Sequence, residues 1–228
     1  MPKKSKSIKI TDIKAGKPWL KKVATFKYSI EMIEKKKRFL IVCEGQTEEL
    51  YFKSFPVLSA DVIPIHQGCS KSSLVECVAN YLDGENYDEI WCVFDMDYKP
   101  DVNGQYEDFD NAIQAACEAG YKCAYSNDAF ELWFVLHYQY VDQKQLRIFF
   151  FKTLSKYWDI NYEKNGKERS FALSTYKRLL DDPKADQSLA IVNAHKLFES
   201  QKQMVYHLQN PVTTVYMLVK ELNLHLRP

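Results

Sequence analysis

The chain has 228 residues, of which 46% are hydrophobic and 14% aromatic, and its formal net charge is +1. This is enough apolar material for a sizeable core in one large domain, or in a domain with an appendage. We expect no membrane span, because no run approaches about 18 apolar residues, and no secretory signal, because the Lys-rich start has no apolar core. Six cysteines without CxxC pairing favour a reduced, cytoplasmic protein.

The near-neutral total conceals an uneven distribution of charge. Residues 1–38 contain thirteen Lys and Arg residues and three acidic ones, which leaves eighteen basic and 27 acidic residues in the remainder. A basic segment of this kind is either a solvated tail or an arm that neutralises the phosphates of nucleic acid. We therefore delimit a basic N-terminal arm over 1–37 and leave both interpretations open.

The ordered core is predicted to begin with a buried strand. Residues 39–42 form a short continuous apolar run, which is typical of a strand in a parallel sheet. Gly45 permits a tight turn after it, and Thr47 is a candidate N-cap for a helix with acids in its first turn. A second strand is predicted over 61–65, where Pro64 indicates a sheet edge or a bulge.

A helix over 74–82 precedes the most informative strand. Residues 90–94 are apolar, and two carboxylates, Asp95 and Asp97, follow them directly. Because strand side chains alternate between faces, an extended backbone would present both carboxylates together at the carboxyl end of the strand. Open α/β sheets bind ligands at this edge. Two carboxylates held together repel each other, and a divalent cation offsets the repulsion, so we expect a site for Mg²⁺ (or Mn²⁺).

The remaining elements continue the alternation of strands and helices. A helix over 109–119, a strand over 121–125 and a helix over 130–138 complete the predicted α/β domain, 38–140. Alternation of this kind predicts βαβ units, here with about four parallel strands flanked by helices.

The segment 141–228 is predicted to be a helical extension packed on the core. Helical periodicity recurs over 146–154, 176–180, 189–197 and 211–222, and the stretch 161–170 is a polar linker. For the last helix, Asn210 is the expected N-cap and Pro211 lies in the first turn.

Acidic residues follow three of the predicted strands. Because parallel strands end at the same edge of a sheet, these groups can lie together, and their convergence is a stronger signal than a single DxD. They are Glu44 and Glu48 after the first strand, Asp95 and Asp97 after the third, and Asp128 and Glu131 after the fourth.

Structural roles compete with functional ones at several of these positions. Glu48 could stabilise the dipole of its helix, and Asp128 with Glu131 fits a capping box. Lys71 could contact phosphate or be an ordinary surface residue, and His137, on an apolar helix, is more typical of a core histidine than of a ligand.

Four motifs resemble the RloB family. They are Val42-Cys43-Glu44-Gly45-x-Thr47-Glu48, Trp91-Cys92-Val93-Phe94-Asp95-x-Asp97, Tyr125-Ser126-Asn127-x-x-Phe130-Glu131-Leu132-Trp133, and Asn210-Pro211-x-Thr213-Thr214-Val215. The resemblance covers roughly residues 38–226. Proteins of that family are encoded at restriction and abortive-infection loci and carry a Toprim domain.

The resemblance implies a Toprim-like (Rossmann-like) α/β fold with a definite set of site residues. It implies that Glu44 is the general acid or base, and it matches other residues to metal-binding and phosphate-contacting positions. The implied metal ligands are Asp95, Asp97, Glu48 and Glu131, and the implied contacts to nucleic acid or phosphate are Ser126 and Asn127, to which we add Lys71. Two departures from the pattern are Lys99, where topoisomerase-type sites carry a third carboxylate, and Asp128, where the family usually has Pro.

The function expected from this resemblance is that of a Mg²⁺-dependent nuclease acting on DNA or RNA in bacterial phage defence. The alternative is a non-catalytic component that holds nucleic acid or a nucleotide and works with an ATPase partner. The acidic balance of the core slightly favours the alternative. No Walker motif is present, so any ATP chemistry would belong to the partner.

Overall fold

The computed structural model describes residues 37–64, 70–82 and 86–227. The predicted basic arm, apart from Lys37, therefore lies outside the described residues. Within the described ranges, no helix is both long enough and apolar enough to cross a membrane.

A five-stranded, mostly parallel sheet forms the centre of the fold. Its strands are β1 (Phe39–Cys43), β2 (Ala60–Pro64), β3 (Glu89–Asp95), β4 (Lys122–Asn127) and β5 (Val212–Thr213). The spatial order is β2-β1-β3-β4-β5, in which β1 to β4 are parallel and β5 is antiparallel to β4. The prediction of a Rossmann-like α/β core is confirmed, and Pro64 does lie on an edge strand.

Helices flank the sheet. They are α1 (Gln46–Lys53), α2 (Lys71–Val78), α3 (Gln105–Glu118), α4 (Glu131–Val135), α5 (Arg147–Trp158), α6 (Tyr162–Asn165), α7 (Arg169–Asp181), α8 (Gln187–Gln201) and α9 (Val215–Asn223), with 3-10 turns at Ala79–Tyr81 and Tyr206–Leu208. Helix α1 packs on α7, α2 on α3, and α4 on α5. Strand β1 is buried along its whole length, as its continuous apolar run predicts.

A cluster of aromatic side chains joins α1 to α4. The ring of Tyr51 makes edge contacts with Phe130 and Phe134 at centroid distances of 5.8 and 5.3 Å. Trp133 Nε1 donates a hydrogen bond of 2.8 Å to the Tyr51 hydroxyl. These contacts fix the relative position of two helices whose first turns both carry acidic residues predicted for the site.

The structure corrects two predicted helix starts. Helix α1 has Gly45 as its N-cap residue, without a side-chain cap, so Thr47 lies inside the helix and is not the cap. The last helix begins at Val215 and not at Pro211, because Val212–Thr213 pairs with Asn127 and Ser126 of β4.

The segment after residue 140 is also more integrated than the sequence indicated. Its strand β5 extends the sheet, which a purely helical extension would not do. The stretch predicted as a polar linker contains α6 and the start of α7. A two-residue strand and a one-turn helix are too short to give a periodic signal, which explains why both were missed.

His137 is a buried core residue that follows α4. It is 1% exposed, and its Nδ1 lies 2.9 Å from the carbonyl oxygen of Trp133. Burial lowers the pKa of this imidazole to about 4. Between about pH 4 and pH 6.5, the His137 side chain is therefore neutral in the folded protein and protonated in the unfolded chain.

We predict that His137 makes folding stability pH-dependent below neutrality. As pH falls from about 6.5, the unfolded chain takes up the proton first, so the free energy of unfolding should fall, by at most about 3 kcal/mol, until the pH reaches about 4. Urea unfolding of wild type and His137→Gln at about pH 7 and about pH 4.5 measures this. The variant should show a smaller decrease, whereas the exposed His195→Gln should decrease as wild type does. Equal decreases in wild type and His137→Gln would contradict the prediction.

Candidate functional site

A cavity of about 420 Å³ lies at the carboxyl edge of the sheet, where β1 and β3 end. We call it the carboxylate cavity. The structure brings to its wall all five acidic residues that were predicted as catalytic or metal-binding, namely Glu44, Glu48, Asp95, Asp97 and Glu131. Their convergence follows from the parallel arrangement of β1, β3 and β4, since the connections after these strands all start from the same edge.

Backbone pairing sets the positions of the two acidic residues nearest the sheet. Strands β1 and β3 are neighbours, and the Glu44 amide donates a hydrogen bond of 2.9 Å to the carbonyl oxygen of Val93. Asp95 is the last residue of β3, and its Oδ2 accepts a hydrogen bond of 3.1 Å from the Phe130 amide. Glu44 and Asp95 therefore project from adjacent strand ends.

Asp97 does not continue the strand, contrary to the geometric expectation. Strand β3 stops at Asp95, and Asp97 has a φ of 47°, in the left-handed region. The Asp97 amide donates a 2.9 Å hydrogen bond to the carbonyl oxygen of Asp128, which anchors this turn. Asp97 thus reaches the carboxylate cavity through a turn and not through strand alternation.

Asp128 organises this turn and does not line the carboxylate cavity. Its side chain is 1% exposed and accepts hydrogen bonds from the amides of Tyr98 (2.9 Å) and Arg147 (3.0 Å). Burial raises the pKa of its carboxyl group, and the two amide donors oppose that rise. The residue that departs from the family pattern therefore joins the end of β3 to the start of α5.

Basic side chains from four separate segments surround the acidic cluster. The Nζ of Lys71 lies 3.2 Å from Glu44 Oε1, and the Nζ of Lys99 lies 3.1 Å from Asp97 Oδ2. The guanidinium of Arg147 also contacts Asp97, and Lys167 lines the cavity. Arg147 and Lys167 were not predicted from the sequence, because both lie in the C-terminal segment 141–228 and no local motif marks them.

Three buried carboxyl groups of the cavity have raised pKa values. Burial, followed by repulsion from Glu131 and Glu44, raises the pKa of Glu48 to about 8. Burial and the neighbouring Glu48 raise the pKa of Asp95 well above its usual range. Burial also raises the pKa of Glu131, against the hydrogen bond of 3.2 Å from the Tyr162 hydroxyl. The cluster therefore lacks sufficient positive charge to ionise fully.

The donor set fits a hard divalent cation. The cavity offers carboxylate oxygens, the preferred ligands of Mg²⁺, and Glu44 Oε2 is buried without a hydrogen-bond partner. In the described part of the chain, no group of three or more His, Cys, Asp or Glu residues is placed to hold a metal ion.

The predicted phosphate-contacting residues are divided by the structure. Lys71 lies beside Glu44, as described above. Ser126 is fully buried, with its hydroxyl 2.8 Å from Thr213 Oγ1, and Asn127 Nδ2 donates 3.0 Å to the carbonyl oxygen of His207. Neither Ser126 nor Asn127 lines the carboxylate cavity, because β5 pairs with this end of β4.

The fold and the site together define a Rossmann-like α/β protein with an acidic cavity at the carboxyl edge of its sheet. This chain belongs to the RloB family: the family model described as RloB-like protein matches residues 39–222, which is most of the chain. No curated protein and no solved structure matches the chain.

We predict that Glu48 destabilises the metal-free fold as pH rises. Because its pKa is raised to about 8 in the folded state, stability present below about pH 4.5 is lost progressively up to about pH 8. Glu48→Gln, which keeps the shape and cannot ionise, should raise the free energy of unfolding in EDTA at about pH 8 by about 2 kcal/mol, and by much less at about pH 5. Urea denaturation at both pH values measures the effect.

Glu49→Gln provides a matched control on the same helix. Glu49 is as buried as Glu48, at 6% exposure each, yet it pairs with Lys53 and does not line the carboxylate cavity. This substitution removes an attraction, so it should not stabilise the protein at either pH. A stabilisation by Glu49→Gln equal to that by Glu48→Gln would contradict the assignment of repulsion to the cavity.

Proposed function

We propose that this protein is a Mg²⁺- or Mn²⁺-dependent Toprim nuclease that hydrolyses phosphodiester bonds of DNA or RNA in bacterial phage defence. The observation that carries the proposal is the convergence of five acidic side chains on one cavity, among them a buried Glu44 oxygen with no partner. Membership of the RloB family agrees with it.

In this proposal the buried carboxylates hold the metal. Asp95, Glu48 and Glu131 would be its ligands, with Asp97 available once it is released from its basic partners. A bound divalent cation would neutralise charge on the scissile phosphate and lower the pKa of water. It would also relieve the mutual repulsion that raises the pKa values of Glu48 and Asp95.

Glu44 is the proposed proton acceptor. It is the least buried of the glutamates on the cavity wall, with a side chain 30% exposed, and one of its oxygens is engaged by Lys71 while the other has no partner. In the proposed reaction, that free oxygen would take the proton from the attacking water as the water oxygen bonds to phosphorus. The P–O bond to the leaving oxygen would break, and that oxygen would take a proton from solvent. Lys71, Arg147 and Lys167 would contact the phosphate oxygens and stabilise the charge that develops on them.

One feature of the cavity favours the alternative, a non-catalytic component working with an ATPase partner. Asp97 is already paired with Lys99 and Arg147. Basic residues that already pair with Asp97 can hold a nucleic acid or nucleotide phosphate without hydrolysing it.

The nuclease proposal predicts loss of cleavage in two isosteric variants. Glu44→Gln and Asp95→Asn should each reduce cleavage at least about 100-fold, since one lacks the proton acceptor and the other a metal ligand. The measurement uses end-labelled single- and double-stranded DNA and RNA with Mg²⁺ or Mn²⁺, and EDTA should abolish cleavage by wild type.

Two further variants control for general effects of amide substitution. Glu49→Gln and the exposed Asp101→Asn lie outside the carboxylate cavity and should cleave as wild type does. If Glu44→Gln and Asp95→Asn also cleave as wild type, the proposed site is wrong. If wild type binds nucleic acid and cleaves none of the substrates with either metal, the non-catalytic alternative replaces the nuclease proposal.

A further inference from the structure

A second cavity, of about 770 Å³, lies next to the carboxylate cavity. We call it the aromatic cavity. Its volume is within the range of about 300–1,000 Å³ that is typical of ligand pockets. The start of α5 separates the two cavities, since Arg147 lines the carboxylate cavity and the next residue, Ile148, lines the aromatic cavity. The proposed hydrolysis uses none of the side chains in this second cavity.

Residues 95–99, at the end of β3 and in the turn that follows, alternate between the two cavities. Asp95, Asp97 and Lys99 line the carboxylate cavity, whereas Met96 and Tyr98 between them line the aromatic cavity. The two cavities thus share one short backbone segment as a wall. If one phosphodiester of a polymer lies in the carboxylate cavity, the neighbouring residues of that polymer can reach the aromatic cavity.

Three rings on the wall of the aromatic cavity form a stack. Tyr98 and Tyr106 are nearly parallel, at 9° with centroids 5.7 Å apart, and Tyr106 stacks on His207 at 4.9 Å. Centroid distances of this size describe offset rings, which leave part of each face uncovered. Tyr106 is accordingly 41% exposed. Another planar ring can stack on the uncovered faces of these rings.

The free charges of the aromatic cavity are positive. Lys144 and Lys152 line it and are exposed. Its acidic residue, Asp128, is buried and has both carboxylate oxygens occupied by backbone amides. The amides of Asn127 and Asn210 are also paired, with Asn210 Nδ2 donating 3.1 Å to Asn127 Oδ1. The cavity therefore offers ring faces for stacking and ammonium groups for ion pairing. It offers few unpaired groups that could form hydrogen bonds with the edge of a base.

We infer that the aromatic cavity binds unpaired nucleotides of a single-stranded nucleic acid, next to the phosphodiester in the carboxylate cavity. One base stacks on the Tyr98–Tyr106–His207 column, and the flanking phosphates pair with Lys144 and Lys152. Stacking combined with charge is the usual mode of sequence-tolerant single-strand binding. A base inside a duplex has its faces covered by its neighbours, so this cavity discriminates against double strands. The inference rests on the proposed function and specifies its substrate as a single strand.

The test measures binding in EDTA, which separates it from cleavage. Fluorescence anisotropy is recorded for the full chain with labelled oligo-dT, oligo-U and a DNA duplex of equal length. We expect both single strands to bind more tightly than the duplex. Tyr106→Leu, which removes the middle ring, should weaken single-strand binding about tenfold. Tyr106→Phe, which keeps the ring, should bind single strands as wild type does.

A lysine pair supplies the charge test with a matched control. Lys152→Ala should weaken binding and reduce the slope of log affinity against log salt by about 0.7, as expected for one lost phosphate contact on a single strand. Lys156, one turn further along α5, is exposed and does not line the aromatic cavity, so Lys156→Ala should bind as wild type does. Thermal unfolding of each variant verifies that the fold is retained.

The outcomes distinguish this inference from the nuclease proposal. Unchanged affinity in both Tyr106→Leu and Lys152→Ala, tighter binding of the duplex, or binding of an acidic amphipathic peptide without binding of oligonucleotides would overturn the inference. After either of the first two results, loss of cleavage in Glu44→Gln and Asp95→Asn would still support the nuclease proposal. Conversely, weaker binding by Tyr106→Leu in a protein that cleaves nothing would support the aromatic cavity and refute the nuclease.

Discussion

Repulsion among buried carboxylates is the constraint on which the site depends. Asp95 is placed by β3, and Glu48 and Glu131 by the first turns of α1 and α4, so their positions are fixed by the sheet and its flanking helices. Burial raises the pKa of each of these groups. Keeping these carboxylates together lowers the stability of the fold, because apolar residues would pack there without repulsion. Their presence therefore indicates a role in function and not in folding.

The basic residues around the cluster come from segments that are distant in the chain. Lys71 begins α2, Lys99 follows β3, Arg147 begins α5 and Lys167 precedes α7. The C-terminal part of the chain therefore completes the site as well as the sheet, to which it adds β5. Asp128 connects these parts, because its carboxylate accepts the backbone amide of Arg147 while its own carbonyl accepts the amide of Asp97.

Ser126 and Asn127, the last two residues of β4, have a structural role in this protein. Ser126 pairs with Thr213 of β5, and Asn127 is bonded to the backbone of His207 and to the side chain of Asn210. Two motifs that are 83 residues apart in the chain thus form one connection between β4 and β5. Their joint presence in the sequence reflects a shared tertiary contact, and none of Ser126, Asn127 and Asn210 lines the carboxylate cavity.

The sequence by itself determined the parallel α/β core, because strand periodicity is local, and it predicted that acidic residues converge at one edge, because parallel strands place their carboxyl ends there. The resemblance to the RloB family narrowed the six acidic residues near the strand ends to the five that line the cavity, leaving out Asp128. Only the tertiary structure decided that Asp97 enters through a left-handed turn, that Arg147 and Lys167 face the acids, and that Tyr106 stacks on His207. These features depend on long-range packing between segments, and a two-residue strand such as β5 leaves no periodic pattern from which that packing could be inferred.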